Sequence, residues 1–270
     1  MKVKGLNVTV LLLVVFAFCS LAKAQTYSLR EDISYISETD TDRYRKERCK
    51  LDVYYPSKSE GFPVVVWIHG GGLEGGSKSI PAELRNKGIA VVAVNYRLSP
   101  RAVNPAYTVD VAEATAWVFK NIAKYGGDVR KIFVAGHSAG AYLAMMIGFD
   151  KKYLATYGVD ADSIKGLIPI SGQTNTHYTI RAERGLPRDL PIIDEYAPIN
   201  LVREGIPPTL LVTGGRDLEM LARFEENLHL KAIMRSMSNP VELYELEGFG
   251  HDCLIPGCEL LLRFVKKHTL

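Results

Sequence analysis

Cysteine is scarce in this chain of 270 residues: there are four, and setting aside Cys19 near the start leaves Cys49, Cys253 and Cys258. An odd number cannot all pair within one chain. Cys253 and Cys258 are near enough in sequence to close a small loop, Cys49 could pair with either, and three buried thiols are an equal reading. No Cys/His pair recurs at metal-ligand spacing, which argues against a zinc module, so neither a metal nor a cofactor is expected. Charge of one sign is also missing: 33 Lys and Arg stand against 30 Asp and Glu, scattered without a basic patch. That removes the electrostatic footprint of a nucleic-acid binder. There is no internal repeat, no low-complexity block, and no apolar run of the roughly 18 residues that a membrane span needs.

The chain start has its own signature. Lys2 and Lys4 precede the apolar run Val8–Phe18, and Ala22-Lys23-Ala24 supplies a small-x-small cleavage site. Residues 1–24 therefore read as a secretory signal peptide, with the mature chain from Gln25 and a secreted or periplasmic destination. A lipoprotein anchored through Cys19 is disfavoured by the bulky Phe18 before it. Losing this leader removes Lys2, Lys4 and Lys23 and no acid, so the formal charge falls from +3 to 0. The remainder, 25–270, is long enough for one domain with a well-buried core.

Beyond residue 48, short β-rich runs alternate with helical stretches. CKLDVYY (49–55) alternates like a half-exposed strand. PVVVWIH (63–69), IAVVAVNY (89–96), KIFVAG (131–136), GLIPIS (166–171) and PTLLVTG (208–214) are nearly continuous apolar runs, as in strands buried on both faces of a parallel sheet. VELYEL (241–246) reads as a last, edge-ward strand. Helices are expected over 107–124, 139–149, 218–237 and 259–267. This alternation predicts an α/β fold with a mostly parallel central sheet flanked by helices. Chemistry then belongs at the carboxyl ends of the strands. The polar, proline-marked segment 172–207 is too long for a plain connection and reads either as a lid or substrate-binding excursion or as surface structure without a role. Its Arg181, Arg184 and Arg188 read as a solvated face, with recognition of an acidic substrate as the other reading.

The frame Gly136-His137-Ser138-Ala139-Gly140 lies between a strand and a helix, which makes Ser138 a nucleophile on a sharp turn. His137 is next door, but adjacent residues on such a turn project apart, so its imidazole is poorly aimed as a base and is expected to pack or hydrogen-bond near the turn. His251, in the glycine-flanked loop EGFGHDC after VELYEL, arrives at the same sheet edge and is the better base. Asp217, directly after LLVTG, is expected to orient His251, with Glu219 and Asp252 as nearest rivals and a helix N-cap as its structural alternative. His69-Gly70-Gly71-Gly72 follows PVVVWI, and its N–H groups together with that of Ala139 could receive an oxyanion.

HGGG, GHSAG, GGRD and GFGH, in the chain order Ser–Asp–His, together resemble the α/β-hydrolase superfamily. NYRLSP (95–100) and YGGDVRKIFVAGHSAGAYLA (125–144) narrow the resemblance to the hormone-sensitive-lipase-like esterases and their bacterial carbohydrate-esterase and formamidase relatives. It spans roughly residues 49–267. By this resemblance Ser138, Asp217 and His251 form the triad and Gly71, Gly72 and Ala139 the oxyanion donors, with Leu73 taking the place of Gly72 in some subgroups. The short stretch 25–48 leaves no room for a large N-terminal cap. Many relatives carry Asp in place of His137 and an aromatic in place of Leu73. The implied function is hydrolysis of esters with short acyl groups, acetyl or feruloyl on saccharides among them, acting on a small molecule or an oligosaccharide. The alternatives are amide cleavage by a formamidase or peptidase of the same fold, and a non-catalytic binding protein.

Overall fold

A computed structural model describes residues 25–270; the proposed leader, residues 1–24, lies outside the described residues. Eight strands form one sheet: β1 (Tyr27–Ser34), β2 (Lys50–Pro56), β3 (Phe62–Ile68), β4 (Ala90–Val94), β5 (Gly127–His137), β6 (Gly166–Ile170), β7 (Thr209–Gly214) and β8 (Val241–Leu246). Their order across the sheet is β1-β2-β4-β3-β5-β6-β7-β8. Pairing is antiparallel for β1–β2 and β2–β4 and parallel from β4 through β8. The central strands are apolar along their whole length because both faces are covered. Val64, Val66 and Ile68 of β3 join one buried cluster, while Val65 and Trp67 join the other.

Seven helices accompany the sheet among the described residues: α1 (Arg43–Arg48), α2 (Ala106–Asn121), α3 (Ala139–Phe149), α4 (Lys151–Ala155), α5 (Tyr178–Glu183), α6 (Arg223–Ser236) and α7 (Leu254–Thr269). Helices α2, α3, α4 and α6 contribute to the first cluster, and α7 covers the second through Cys258, Leu261, Phe264 and Val265. This is the α/β-hydrolase fold. Among the described residues, the stretch ahead of β2 holds β1 and α1 and no large cap.

Three differences from the sequence expectation have a physical reason that can be read directly. β1 is an extra strand at the sheet edge, and its largely exposed YSLREDIS carries no apolar alternation to announce it. α7 begins at Leu254, five residues before the expected start, because Pro256 sits in the first turn, where its missing N–H is not needed. α6 begins at Arg223 and not at 218: Ala222 has φ +58°, so residues 218–222 form a loop. Asp217 therefore caps no helix.

All three described cysteines are free and buried. Burial pushes each thiol up to about 12, so they are inert structural side chains at neutral pH.

Candidate active site

The parallel register assembles the site. Ile170 of β6 stands opposite His137 of β5 and Val212 of β7. The Ser138 N–H donates to the Ile170 carbonyl at 2.9 Å, and the Ser171 N–H to that of Val212 at 2.7 Å. Ser138 and Ser171 thus emerge side by side at the carboxyl edge. The loops after β7 and β8 are tied together by the Gly215 N–H donating to the Phe249 carbonyl at 2.8 Å, which carries His251 over the same edge.

Ser138 sits at φ +55°, ψ −118°, a conformation costly for a residue with a side chain. The neighbouring glycines make that turn feasible. A Cβ on Gly140 would lie 2.0 Å from the Ile68 carbonyl oxygen, and one on Gly136 2.5 Å from Gly140 itself. The elbow is pressed against the end of β3, and no side chain fits between them. Leu73, Ser171 and Ala222 share the positive φ of Ser138. Four of the seven non-glycine residues with positive φ among the described residues thus cluster around one place. Backbone strain gathered in this way is a mark of a functional site.

The side chains converge. His251 Nε2 is 2.9 Å from Ser138 Oγ, and His251 Nδ1 is 2.9 Å from Glu219 Oε2. Ser171 Oγ lies 2.9 Å from the same Nδ1 and donates to Glu219 Oε1. The Met220 N–H donates to Glu219 Oε2 at 2.6 Å. Burial pushes the Glu219 carboxyl up, but hydrogen bonds from His251, Ser171 and the Met220 N–H outweigh it and hold it at about 2. It is an anion throughout the neutral range, fully shielded from solvent beside a partly exposed imidazole.

The carboxylate beside His251 is Glu219 and not the expected Asp217. Asp217 does not approach His251; it is exposed and lines a shallow depression with Gly215, Arg216, Leu218, Glu245, Glu247 and Gly248. The reason is the turn after β7. The N–H groups of Leu218 and Glu219 both donate to the Gly215 carbonyl at 2.9 Å, so the chain coils back. Position 217 lies on its outer side and position 219 on its inner side. Asp252, the other rival, is likewise exposed.

The loop after β3 faces the elbow. A Cβ on Gly70 would lie 3.3 Å from that of Ser138. Gly71, Gly72 and Leu73 have φ of +109°, +66° and +63°. The N–H groups of Gly71, Gly72 and Ala139 donate to no other group among the described residues. Thr179 of α5 donates its hydroxyl to the Gly72 carbonyl, so segment 172–207 is anchored on this loop. Among the described residues no cluster of three or more His, Cys, Asp or Glu side chains could hold a metal.

A family model described as BD-FAE matches residues 51–231, more than half of the chain and inclusive of the elbow and Glu219. The chain belongs to the BD-FAE family. Among curated relatives it is 30% identical to esterase LipC of Mycobacterium tuberculosis over 70% of this chain and 52% of that protein. It therefore spans about half the length of that relative. Among solved structures it superimposes on a truncated carbohydrate esterase from gut microbiota with TM-score 0.73 and 20% identity, covering 92% of this chain and 98% of that one. Esterase B of Lactobacillus rhamnosis gives TM-score 0.71 at 16% identity, with 91% and 87% covered. Both likenesses establish the α/β-hydrolase fold.

Two residues of this BD-FAE member gain partners at the site that sequence did not name. His137 Nε2 lies 2.8 Å from the main-chain carbonyl of His251 and, as the N–H tautomer, donates to it. Burial lowers the tendency of His137 to protonate, so the ring is a neutral donor at pH 7. It clamps the backbone of the loop that carries the base. Replacing it by phenylalanine keeps the packing and removes the clamp. kcat should fall about tenfold with KM little changed, the size expected for one lost hydrogen bond at a positioning residue. His137→Gln should recover part of the loss in the same assay. The second residue is Arg223, at the start of α6, whose Nη1 donates to the Ser171 carbonyl at 2.8 Å. Residue type alone gives no hint of either contact, since both partners are main-chain carbonyls remote in sequence.

Proposed function

We propose that this protein is an exported serine hydrolase of carboxylic esters, working through Ser138, His251 and Glu219. The observation that carries this is the unbroken hydrogen-bonded line from Ser138 Oγ through both imidazole nitrogens of His251 to a buried carboxylate. Neutral His251 accepts the Ser138 proton as Oγ attacks the ester carbonyl. Glu219 holds the tautomer with its proton on Nδ1 and stabilises the imidazolium that forms. The imidazolium then protonates the departing alcohol, leaving an acyl-enzyme. Water, deprotonated by the same ring, releases the acid. The N–H groups of Gly71, Gly72 and Ala139 are assigned to the oxyanion. Being fixed in place and otherwise unengaged, they need no reorganisation as charge develops.

The esters are those of short acyl groups, with acetyl or feruloyl groups on saccharides as the natural class. The carbohydrate-esterase likeness supports that choice, as does the absence of a large cap ahead of β2 among the described residues. Segment 172–207 is assigned to substrate binding because it packs on the Gly72 loop. Export follows from reading residues 1–24 as a cleaved leader, and no helix among the described residues is long and apolar enough to cross a membrane. The test is direct: purified protein should hydrolyse 4-nitrophenyl acetate and butyrate and take one fluorophosphonate label at Ser138. Well-folded protein that leaves these esters intact and takes no label contradicts the proposal.

A further inference from the structure

Beside the Ser138–His251–Glu219 line lies an open cleft of about 480 Å³. Its wall includes Tyr178, Met220 and Arg223, which tie it to the site. The Tyr178 hydroxyl crowds Gly72, where a Cβ would lie 2.3 Å away. Met220 bonds Glu219, and Arg223 bonds the Ser171 carbonyl.

Three guanidinium groups line this cleft: Arg181, Arg188 and Arg223. Arg181 and Arg223 are only 3% and 4% exposed, so Arg181 is no part of a solvated face. The only hydrogen bonds these two side chains make among the described residues go to the Leu190 and Ser171 carbonyls and to the Met220 sulfur, never to a carboxylate. Their Nε atoms are buried without any partner among the described residues. Arg188 lies over the Tyr178 ring, 4.5 Å from its centroid, and reaches Glu74 only at 3.5 Å. Two acids share the cleft, Asp189 and Glu226, but Glu226 already accepts from the Thr174 N–H and the Asn175 amide, both at 3.0 Å. Glu219 beside Arg223 and Glu74 near Arg188 also balance charge here, yet Glu219 is engaged by His251, Ser171 and the Met220 N–H, and no carboxylate among the described residues is hydrogen-bonded to the buried guanidinium forks. Burial and these same three arginines also drive the neighbouring His177 well below its usual range.

Burying a guanidinium with no carboxylate hydrogen-bonded to it is costly, and a structure that keeps two of them beside a reaction centre gains most when a ligand supplies the missing partner. A carboxylate suits the planar guanidinium fork better than a neutral hydroxyl does. We infer that this cleft recognises a carboxylate carried by the substrate next to the ester that Ser138 attacks. The inference rests on the esterase reading above and narrows its substrate class to acidic esters. The carboxylate belongs either to the acyl part, as in a dicarboxylic acid monoester, or to the alcohol part, as in an acylated uronic acid.

Two matched pairs of esters separate these sources: mono-4-nitrophenyl glutarate against 4-nitrophenyl valerate, and 4-carboxyphenyl acetate against 4-carbamoylphenyl acetate. With rates normalised to hydroxide hydrolysis, the anionic member of at least one pair should show about tenfold higher kcat/KM, a preference that shrinks with added salt. Arg188→Gln, at a half-exposed position that should not disturb folding, should reduce that ratio severalfold, whereas the remote Arg130→Gln should not. Hydrolysis of both neutral esters with no anionic preference in either pair overturns the inference while leaving the esterase reading intact. Failure to hydrolyse any of the four counts against the esterase reading. The cleft is then judged by melting temperature: a rise with glutarate but not with glutaramide supports the carboxylate site, and no difference overturns it.

Discussion

Ser138→Ala is expected to lower kcat on a short-chain nitrophenyl ester by about 10⁴–10⁶, with little change in melting temperature. The loss is large because Ser138 Oγ is the atom that bonds to the substrate and no other hydroxyl can replace it. Ser171 comes nearest, but its Oγ is on the Nδ1 side of His251 and is bonded to Glu219. His251→Ala should cost about as much, since without the base the hydroxyl keeps its proton. Combining the two should add almost nothing, because the groups act as a unit. A residual rate should survive from the Gly71, Gly72 and Ala139 N–H groups, which neither substitution removes. Steady-state kinetics on the single and double variants check this. Additive losses would show that Ser138 and His251 do not act together.

How much of this was legible in the sequence depended on which physical constraint each residue obeys. The buried parallel strands were plain because solvent exclusion on two faces demands unbroken apolar runs, as in PVVVWI and LLVTG. The elbow was plain because its crowding against Ile68 leaves glycine as the sole fit at 136 and 140. His251 followed from being placed after a recognisable last strand. β1 was hidden because an exposed edge strand needs no pattern. Glu219 was hidden because the choice between positions 217 and 219 is made by turn dihedrals, ending at the positive φ of Ala222 that postpones α6. The clamp from His137 and the buried charge of Arg223 were invisible for another reason. Each reaches a main-chain carbonyl, and a carbonyl is present at every residue. What local sequence could not convey is where loops fold back, and at this site that determines which carboxylate is buried.

Glu219→Gln should therefore be severe and Asp217→Asn nearly silent, the reverse of what motif order alone suggests. The amide keeps the shape of Glu219 but removes the anion that stabilises the imidazolium. It also lets an N–H₂ group face Nδ1, which favours the wrong tautomer. A loss of about 10³–10⁴ in kcat is the size seen when a triad acid is made neutral. Asp217, exposed and away from the imidazole, should change kcat by less than about twofold, as surface substitutions remote from a site usually do. The same carboxylate has a signature in stability. Its hydrogen bonds hold it at about 2 in the folded protein against 4.5 for an ordinary Glu. A group held lower when folded contributes stability above its unfolded value and loses it as pH falls toward its folded one. Stability of the wild type against urea should thus fall between pH 4.5 and about 2, and the part due to this residue should vanish in Glu219→Gln. Asp217→Asn should leave that acid limb in place. If Asp217→Asn instead abolished turnover while Glu219→Gln stayed active, the turn after β7 would have to rearrange in solution, and the buried carboxylate would not be the one that orients His251.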